Sequence, residues 1–252
     1  MITRYAPSPT GYLHLGHVVN AIYVWGIARC AGATVLLRIE DHDRIRCRPE
    51  YDAALLEDLA WLGFTPDAPL VRQSERGQAY LGALEHLRQN HHVFACQCSR
   101  KDLGSGDSYT GRCRALGLTD GQGRGLRLQE CGDLLLRDRN GHWTYQFCVV
   151  VDDLTQEVDL AIRGEDLQTS AGRQMELARL LGREEPPVFI HHPLILKPSG
   201  EKLSKAAGDS GVRDLRAAGF TAADVIGQAA VAVGLIDRFE PIRATDVHRL
   251  FR

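Results

Sequence analysis

Two histidines near the start of the chain are spaced for chemistry on a phosphate. His14 and His17 lie in RYAPSPTGYLHLGH, a stretch from Arg4 to His17 with two prolines and two glycines. Gly16 would let the backbone approach a polyphosphate, and N–H groups at the start of a helix supply donors and a favourable dipole. Imidazole N–H groups on phosphate oxygens would stabilise the charge that develops during displacement at phosphorus. On these residues alone, a capped helix start with two surface histidines is the simpler interpretation.

A second candidate for phosphate chemistry lies near the other end of the chain. The stretch EKLSKA places Lys202, Ser204 and Lys205 in a glycine-flanked segment that follows an apolar run of strand length. Lysines on such a segment can close over phosphates and follow the charge during a reaction. Alone, the stretch is equally well explained as a solvated, lysine-rich loop.

The segments between these two stretches alternate between strand and helix patterns. The predicted strands are 2–6, 33–41 and the runs WTYQFCVVVDD, VDLAIRGED and VFIHHPLIL. The predicted helices are 15–31, which Gly32 ends, 49–63, which Pro49 opens, and 166–182, 211–218 and 221–234. This order is typical of an α/β fold with an open parallel sheet that binds nucleotides.

Glycine, cysteine and charge become abundant in the middle of the chain. We therefore predict a first half of the sheet domain over 1–92, an inserted subdomain over 93–143 and a second half over 144–252. Within the insertion, Cys96, Cys98 and Cys113 are clustered, and grouped thiolates in a reduced compartment favour zinc. The spacing offers His91, His92 or water for the remaining tetrahedral position. The scattered cysteines are predicted to be small buried hydrophobes: Cys30, Cys47, Cys131 and Cys148.

Length and composition are those of an ordinary globular protein. The 252 residues are 44% hydrophobic and 25% charged, with a formal net charge of −2. No apolar run approaches the roughly 20 residues of a membrane span, and the first residues lack the apolar core of a secretory signal. We therefore expect a cytoplasmic protein without membrane contact. With this net charge, any contact with RNA or DNA must come from local patches. The two candidates are Arg44, Arg46 and Arg48, and Arg112 and Arg114, although either group alone is better explained as solvated surface arginines.

Taken together and in order, the motifs resemble a known family. HLGH and KLSKA are similar to the two ATP-binding motifs of class I aminoacyl-tRNA synthetases. RYAPSPTGYLHLGH, RIEDHDRIR, YQFCVVVDD and IRGEDL resemble the glutamyl branch of that class, and the likeness runs from Arg4 to about Lys205. It implies a Rossmann-like parallel sheet and ATP with Mg²⁺ as substrate. The implied catalytic residues are His14, His17 and Lys205, and Gly16, Lys202 and Ser204 join them in the implied ATP site.

The same resemblance implies a pocket for L-glutamate. Its residues are Arg4, Tyr5, Ala6, Pro7, Ser8, Glu40, Tyr145 and Arg163. The chemistry agrees, because the guanidinium of Arg4 or Arg163 can hold a carboxylate in a bidentate fashion. Glu40, or its neighbour Asp41, would take the ammonium, and the Tyr145 hydroxyl would discriminate by hydrogen bonding. The sequence departs from the family at Val149. Ordinary glutamyl-tRNA synthetases have an asparagine at this position, four residues after the tyrosine, and this chain therefore lacks the amide donor that the asparagine would supply to the substrate.

The part of the chain after Lys205 is too short for the helical anticodon-binding region of a full glutamyl-tRNA synthetase. The chain therefore resembles the truncated bacterial paralogues, the glutamyl-Q tRNA(Asp) synthetases. That family implies transfer of ATP-activated glutamate to queuosine at the wobble position of tRNA(Asp). It also implies one structural zinc ion per chain, held by Cys96, Cys98, Tyr109 and Cys113.

We expect the protein to be a monomer. Two other functions are consistent with the sequence. The first is a minimal glutamyl-tRNA synthetase that charges a tRNA 3′ end. The second is a nucleotide- or RNA-binding module without catalysis, against which the intact histidine pair and Lys205 argue.

Overall fold

The computed structural model describes residues 1–99, 102, 109–195 and 211–251. Contacts group the chain into two compact units. Unit 1 comprises Met1–Arg72, Val158–Thr169 and Pro187–Arg252, and unit 2 comprises Gln73–Glu157 and Ser170–Pro186. The predicted insertion, 93–143, lies inside unit 2 together with its flanking helices, and the boundaries 1–92, 93–143 and 144–252 stay a prediction.

The regular elements alternate along the chain. The strands are β1 (Ile2–Tyr5), β2 (Thr34–Ile39), β3 (Val71–Arg72), β4 (Val93–Cys96), β5 (Gly125–Leu128), β6 (Leu134–Arg137), β7 (Leu160–Gly164) and β8 (Val188–His192). The helices are α1 (Leu15–Ala31), α2 (Pro49–Leu62), α3 (Gly77–Asn90), α4 (Tyr145–Thr155), α5 (Ala171–Leu180), α6 (Val212–Ala217) and α7 (Ala222–Ala232). A 3₁₀ segment, Ala244–Phe251, ends the described chain.

A parallel five-stranded sheet in the order β3-β2-β1-β7-β8 forms the framework of unit 1. β1 pairs with β2 from Ile2–Thr34 to Tyr5–Leu37 and meets β7 at Thr3 and Leu160. The strand order therefore reverses at β1, which has β2 on one side and β7 on the other. In open α/β sheets the crevice outside the carboxyl ends of the strands at such a point is where ligands bind.

Helix α1 follows β1 and is buried along most of its length. Val18, Ile22 and Trp25 are almost inaccessible to solvent and pack in the core of unit 1. The helix ends at Gly32, whose φ of 63° lies in the left-handed region that favours glycine. These features confirm the helix predicted over 15–31 and its predicted end at Gly32. The turn that carries His14 and His17, here called the histidine turn, therefore lies at the start of a buried helix.

Unit 2 combines an antiparallel sheet in the order β4-β5-β6 with helices α3, α4 and α5. Its core includes Tyr80, Leu87, Phe147 and Leu177. The buried Asp152 carboxylate accepts hydrogen bonds from Gln73 at 2.7 Å, Tyr80 at 3.0 Å and Arg76 at 2.5 Å. Since a buried charge is tolerated only when it is paired and hydrogen-bonded, this carboxylate is satisfied where it stands.

The prediction of a strand at WTYQFCVVVDD is wrong, because this run contains helix α4. Both faces of the helix are buried from Phe147 to Asp153, so the apolar pattern does not show the helical period. The helix predicted over 166–182 is confirmed for its second part, where α5 begins at Ala171 after a 3₁₀ turn over Glu165–Ser170. Among the described residues, no helix has both the length and the apolar character needed to cross a bilayer.

The four scattered cysteines divide into two groups. Cys131 and Cys148 are buried, as predicted. The prediction is wrong for Cys30, which is exposed at the last turn of α1 with its thiol 3.2 Å from the His248 carbonyl oxygen. It is also wrong for Cys47, which is half-buried.

Candidate active site and metal centre

The two histidines of HLGH form a reciprocal cap at the start of α1. The backbone N–H of Gly16 donates to Nδ1 of His14 at 3.1 Å, and the backbone N–H of His14 donates to Nδ1 of His17 at 3.1 Å. Both Nδ1 atoms therefore act as acceptors, which assigns the proton of each neutral ring to Nε2. Capping and phosphate binding are thus compatible, because the cap itself places the donor N–H on the other nitrogen.

Close packing around this turn explains its glycine. The ring centroids of His14 and His17 are 3.9 Å apart. A Cβ at Gly16 would lie 2.9 Å from the His14 ring, so a larger residue would displace that ring. Tyr5 supports the turn from below, since its hydroxyl donates to the His17 carbonyl oxygen at 3.3 Å. The Tyr5 side chain is buried in the core, and this burial raises the pKa of its hydroxyl.

The three predicted ATP-site residues of the KLSKA stretch, Lys202, Ser204 and Lys205, lie outside the described residues. The next described residue, Gly211, forms a β-bridge with His14, and the Val212 N–H donates to the Leu13 carbonyl oxygen at 2.8 Å.

The loop after β1 is joined to the end of β2. Ser8 Oγ donates to the Glu40 carbonyl oxygen at 2.9 Å, and the Glu40 N–H donates to the Pro7 carbonyl oxygen at 3.0 Å. Glu40 is 6% exposed, and its Oε1 lies 3.4 Å from Nη2 of the buried Arg38. The neighbouring Asp41 is half-buried. Glu40 therefore lies directly after β2 with both its backbone N–H and its backbone carbonyl oxygen hydrogen-bonded to the loop after β1.

Two arginines lie near the carboxyl ends of the neighbouring strands. Arg4, on β1, is 4% exposed, and its Nη1 donates to the Ile162 carbonyl oxygen of β7 at 3.4 Å. Arg163, on β7, is also 4% exposed. Its Nε donates to Nε2 of His191 at 3.2 Å, and its Nη2 donates to the Leu167 carbonyl oxygen at 3.1 Å. The structure thus places Arg4, Ser8, Glu40 and Arg163 at the reversal of strand order.

Tyr145 belongs to unit 2, where it is half-buried at the first position of α4. Val149 follows one turn later and is buried in the apolar core of that unit. The apolar surroundings show that a valine suits this position of the helix. The assignment of Tyr145 to the glutamate pocket stays a prediction.

The clustered cysteines of unit 2 come together. The sulfur atoms of Cys96, Cys98 and Cys113 all lie within 4.8 Å of one another, close enough to bind one metal ion. The Tyr109 hydroxyl belongs to the same cluster, because it accepts from the Cys113 N–H at 2.7 Å and lies within hydrogen-bond reach of the Cys96 thiol. Three clustered thiols and an adjacent hydroxyl provide four donor atoms, which is the number that a tetrahedral metal ion takes.

Electrostatics differ strongly among the clustered groups. Burial, together with hydrogen bonds to Cys113 and Cys96, raises the pKa of Cys98 to about 12. Burial works against ionisation of Cys113 as well, but hydrogen bonds from Tyr109, the Gln97 backbone and Cys98 lower the pKa of that thiol to about 7. Cys113 therefore ionises more readily than Cys98, and a thiolate is the form that binds metal.

Neither histidine proposed from the spacing is committed to this cluster. His91 Nε2 lies 3.1 Å from the Leu180 carbonyl oxygen, and His92 Nδ1 lies 3.1 Å from the Glu130 carboxylate.

The arginine patches are solvated as predicted, with Arg46 paired to Asp43 at 2.6 Å and Arg114 paired to Asp133.

Sequence reasoning missed the side chains that hold Arg163. His191 and Phe189 lie on β8, and the Arg163 guanidinium carbon is 4.5 Å from the centroid of the Phe189 ring. Strand register carries the signal, because Arg163 and His191 are directly paired positions of β7 and β8. That register was not readable from the two adjacent histidines alone.

Comparison with known proteins decides the family. Residues 1–111 and 125–225 match the family described as tRNA synthetases class I (E and Q), catalytic domain. The glutamyl-Q tRNA(Asp) synthetase of Synechococcus sp. (strain CC9605) is 40% identical over 255 residues, covering 97% of this chain and 87% of that protein. The chain belongs to the class I tRNA synthetases of the E and Q type. It is accordingly a ligase with a class I synthetase domain, as the sequence predicted.

Other relatives agree on family and fold. The glutamyl-Q tRNA(Asp) synthetase of Rhodobacter capsulatus is 38% identical, covering 89% of this chain and 98% of that protein. The glutamate-tRNA synthetase structure from Elizabethkingia anophelis superposes with a TM-score of 0.79 at 24% identity. The match covers 99% of this chain but 65% of that longer one, and it shows that the two share a fold.

Proposed function

We propose that the enzyme activates L-glutamate with ATP and transfers it to queuosine of tRNA(Asp). The observation that carries the proposal is that the buried Arg4, Glu40 and Arg163 lie on or directly after β1, β2 and β7, the strands around the point where the strand order reverses. The histidine turn, residues 14–17, opens the helix that follows β1. Family membership supports the same reaction, since two relatives that share most of their length with this chain carry the name glutamyl-Q tRNA(Asp) synthetase.

Glutamate matches the charges of this pocket. The amino acid carries two carboxylates and one ammonium group. The buried Arg4 and Arg163 are suited to the carboxylates, and the Glu40 carboxylate is suited to the ammonium. A neutral amide in place of the side-chain carboxylate would leave a buried guanidinium without its charged partner, which is costly. The pocket therefore favours glutamate over glutamine.

The first chemical step is attack at phosphorus. The glutamate α-carboxylate attacks the α-phosphate of ATP in line, the bond to the β-phosphate oxygen breaks, and pyrophosphate leaves. His14 and His17 donate from Nε2, and Lys205 supplies positive charge, as negative charge builds on the phosphate oxygens. Mg²⁺ bound with ATP would offset part of the same charge. No protein nucleophile is required.

The second step is transfer to RNA. A hydroxyl of the queuosine diol attacks the carbonyl carbon of glutamyl-adenylate, an ester bond forms, and AMP leaves. A single-stranded anticodon loop can present its base in this way, because unstacked bases can be splayed into a pocket. Tyr145 is proposed to discriminate the amino acid by a hydrogen bond from its hydroxyl.

Unit 2 has a surface suited to an RNA partner. A cleft of about 720 Å³ is lined by Arg124, Arg137 and Arg139, together with Asp120 and glycine-rich turns. Arginine guanidinium groups recognise phosphates well, and glycines allow close approach of the backbone. This basic cleft supports tRNA as the partner of the enzyme.

We also propose that one zinc ion is held by Cys96, Cys98, Tyr109 and Cys113. The sulfur cluster and the Tyr109 hydroxyl carry this part of the proposal. With four protein ligands the ion is structural, and it would stabilise a part of unit 2 that has few apolar residues of its own.

The test of catalysis is transfer of labelled glutamate to tRNA(Asp) that contains queuosine. We expect acid-precipitable label that requires ATP and is lost in the Lys205→Ala variant, which keeps the thermal unfolding profile of the wild type. Label that forms without ATP, or that is unchanged by Lys205→Ala, contradicts the proposed activation. A chain that binds ATP or RNA and transfers nothing is the non-catalytic module instead.

A further inference from the structure

We propose that His191 is a positioning residue that fixes the guanidinium of Arg163 for the side-chain carboxylate of glutamate, and that it does so only as a neutral ring. The proposal rests on the assignment of Arg163 to the glutamate pocket. It adds a residue that neither the sequence motifs nor the family name identifies.

Strand geometry brings the two side chains together. Arg163 on β7 and His191 on β8 are paired positions of two parallel strands, so their side chains project from the same face of the sheet. Arg163 Nε donates to His191 Nε2 at 3.2 Å. Both residues belong to unit 1, and the contact therefore lies within one compact unit.

Three contacts from different directions define the plane of the guanidinium. Besides the bond from Nε to His191, Nη2 donates to the Leu167 carbonyl oxygen at 3.1 Å. The Phe189 ring lies below the guanidinium carbon at 4.5 Å and is stacked on the His191 ring with an interplanar angle of 8°. A bidentate grip needs two parallel N–H groups in a fixed plane, so loss of one contact weakens the grip.

The hydrogen bond requires one protonation state of His191. Because Nε2 accepts the Arg163 N–H, the ring proton must be on Nδ1, and the ring must be neutral. Protonation of Nε2 would place two N–H donors against each other and add a positive charge beside the guanidinium. Arg163 would then leave its plane.

The surroundings of His191 keep the ring neutral near neutral pH. Burial and the positive charge of Arg163 lower the pKa of His191. Arg163 on β7 is the charged group that acts on it among the described residues, and the adjacent His192 on β8 is turned toward Asn20 at 3.0 Å. The acidic residues after β7, Glu165 and Asp166, act on His192 instead.

The predicted consequence is a defect in glutamate binding rather than in chemistry. When the Arg163 guanidinium has left its plane, it binds the side-chain carboxylate of glutamate less well. Glutamate that is bound still reacts at its α-carboxylate. The Michaelis constant for glutamate should therefore rise while kcat is nearly unchanged. In the wild type this rise should occur on acidification, as His191 becomes protonated.

The experiment compares two replacements of His191 in the transfer reaction. Glutamine in His191→Gln offers a neutral acceptor at a similar reach and cannot be protonated in this range. Phenylalanine in His191→Phe keeps a ring and removes the acceptor. The matched control is His86→Phe, which changes an exposed histidine of α3 in unit 2. KM and kcat for glutamate are measured from pH 5.5 to 8 with queuosine-containing tRNA(Asp).

We expect His191→Phe to raise KM for glutamate about tenfold or more at pH 7.5, with kcat within about threefold of the wild type. His191→Gln should stay within about threefold of the wild-type KM and lose the rise in KM at acidic pH. His86→Phe should behave as the wild type. If His191→Phe does not fold, the pH profile of His191→Gln still decides.

Three results overturn the proposal: an unchanged KM in a folded His191→Phe variant, equal damage in both variants, or an acidic rise in KM that persists in His191→Gln. Each of these requires an active wild type. A wild-type enzyme that transfers no glutamate at all overturns the proposed function, and with it this inference.

Discussion

His14 and His17 use their Nδ1 atoms for the same helix start, each accepting a backbone N–H at 3.1 Å. Two rings that cap the backbone in this way are held 3.9 Å apart and carry their protons on Nε2. The helix cap and the proposed phosphate chemistry therefore depend on the two different nitrogens of each ring, and substitutions can separate them.

The first prediction tests this separation at His14. Asparagine in His14→Asn keeps an acceptor where Nδ1 lies, and asparagine is among the best N-cap residues. It lacks the donor that Nε2 supplies. We expect kcat for glutamate transfer to fall about 100- to 1,000-fold, with a thermal unfolding midpoint close to that of the wild type. His14→Ala should lose the same activity and about 1 kcal/mol of stability as well. Full activity in a folded His14→Asn variant would rule out the donor role.

The second prediction distinguishes Glu40 from Asp41. Glu40 is buried and held through its backbone by Pro7 and Ser8, whereas Asp41 is half-buried one position further on. Removing the charge that takes the ammonium should raise KM for glutamate about 10- to 100-fold in Glu40→Gln. Asp41→Asn serves as the matched control and should change KM by less than about threefold. A reversed pair of results would assign the ammonium to Asp41.

The third prediction concerns the metal. Purified enzyme should contain close to one zinc ion per chain, and Cys98→Ser should lose it together with part of the stability of unit 2. Tyr109→Phe keeps the ring, which contacts the Arg127 guanidinium at 4.2 Å, and removes only the oxygen. We expect zinc to bind about 10- to 100-fold more weakly in this variant. Cys131→Ala, at a buried cysteine outside the cluster, should retain the zinc content of the wild type.

Zinc affinity should also depend on pH, because thiols must ionise to bind it. Cys113, whose pKa is lowered to about 7, should ionise more readily than Cys98, whose pKa is raised to about 12. Competition with a chelator is the measurement, and zinc should bind less tightly as the pH falls below 7. An affinity that is flat between pH 6 and 8, after correction for the chelator, would contradict ligation by these thiols.

The fourth prediction uses a buried carboxylate on α2. Both carboxylate oxygens of Asp58 are buried without a hydrogen-bond partner among the described residues. Burial raises the pKa of Asp58 to about 6, against which the charges of Arg213 and Arg216 act only partly. The folded protein therefore binds this proton more tightly than the unfolded chain, so the free energy of unfolding falls as the pH rises from about 4 to 6.

Replacement of Asp58 should reverse that loss. We expect Asp58→Asn to match the wild type in free energy of unfolding at pH 4 and to exceed it by about 2 kcal/mol above pH 6. Urea unfolding at both pH values is the measurement, with Asp237→Asn, at an exposed carboxylate of unit 1, as control. An Asp58→Asn variant with no gain at pH 7 would show that this carboxylate is stabilised in the fold.

Much of unit 1 follows from local sequence signals. The helix ended by Gly32 and the helix opened by Pro49 agree with the structure, because glycine in the left-handed region and proline in the first turn are strong local signals. The βαβ pattern predicts that β1 and β2 are parallel strands of one sheet, and because the structure pairs them directly, the loops that follow them meet at Glu40.

The rest depends on tertiary context. Helix α4 was predicted as a strand, because seven consecutive buried positions hide its period from the sequence. The contact of His191 with Arg163 depends on the register of β7 and β8, and register is set by the assembled sheet. The Tyr109 hydroxyl joins the cysteine cluster through the loop that carries Cys113, which spacing alone could not distinguish from His91 or His92.

The identity of the acceptor tests the central claim most directly. Labelled glutamate and ATP are supplied with three samples of tRNA(Asp): one with queuosine, one without it, and one with queuosine but with the 3′-terminal adenosine removed. The proposed function predicts equal labelling of the first and third samples and none of the second. Labelling that needs the terminal adenosine and ignores queuosine would contradict it and identify the enzyme as a small glutamyl-tRNA synthetase.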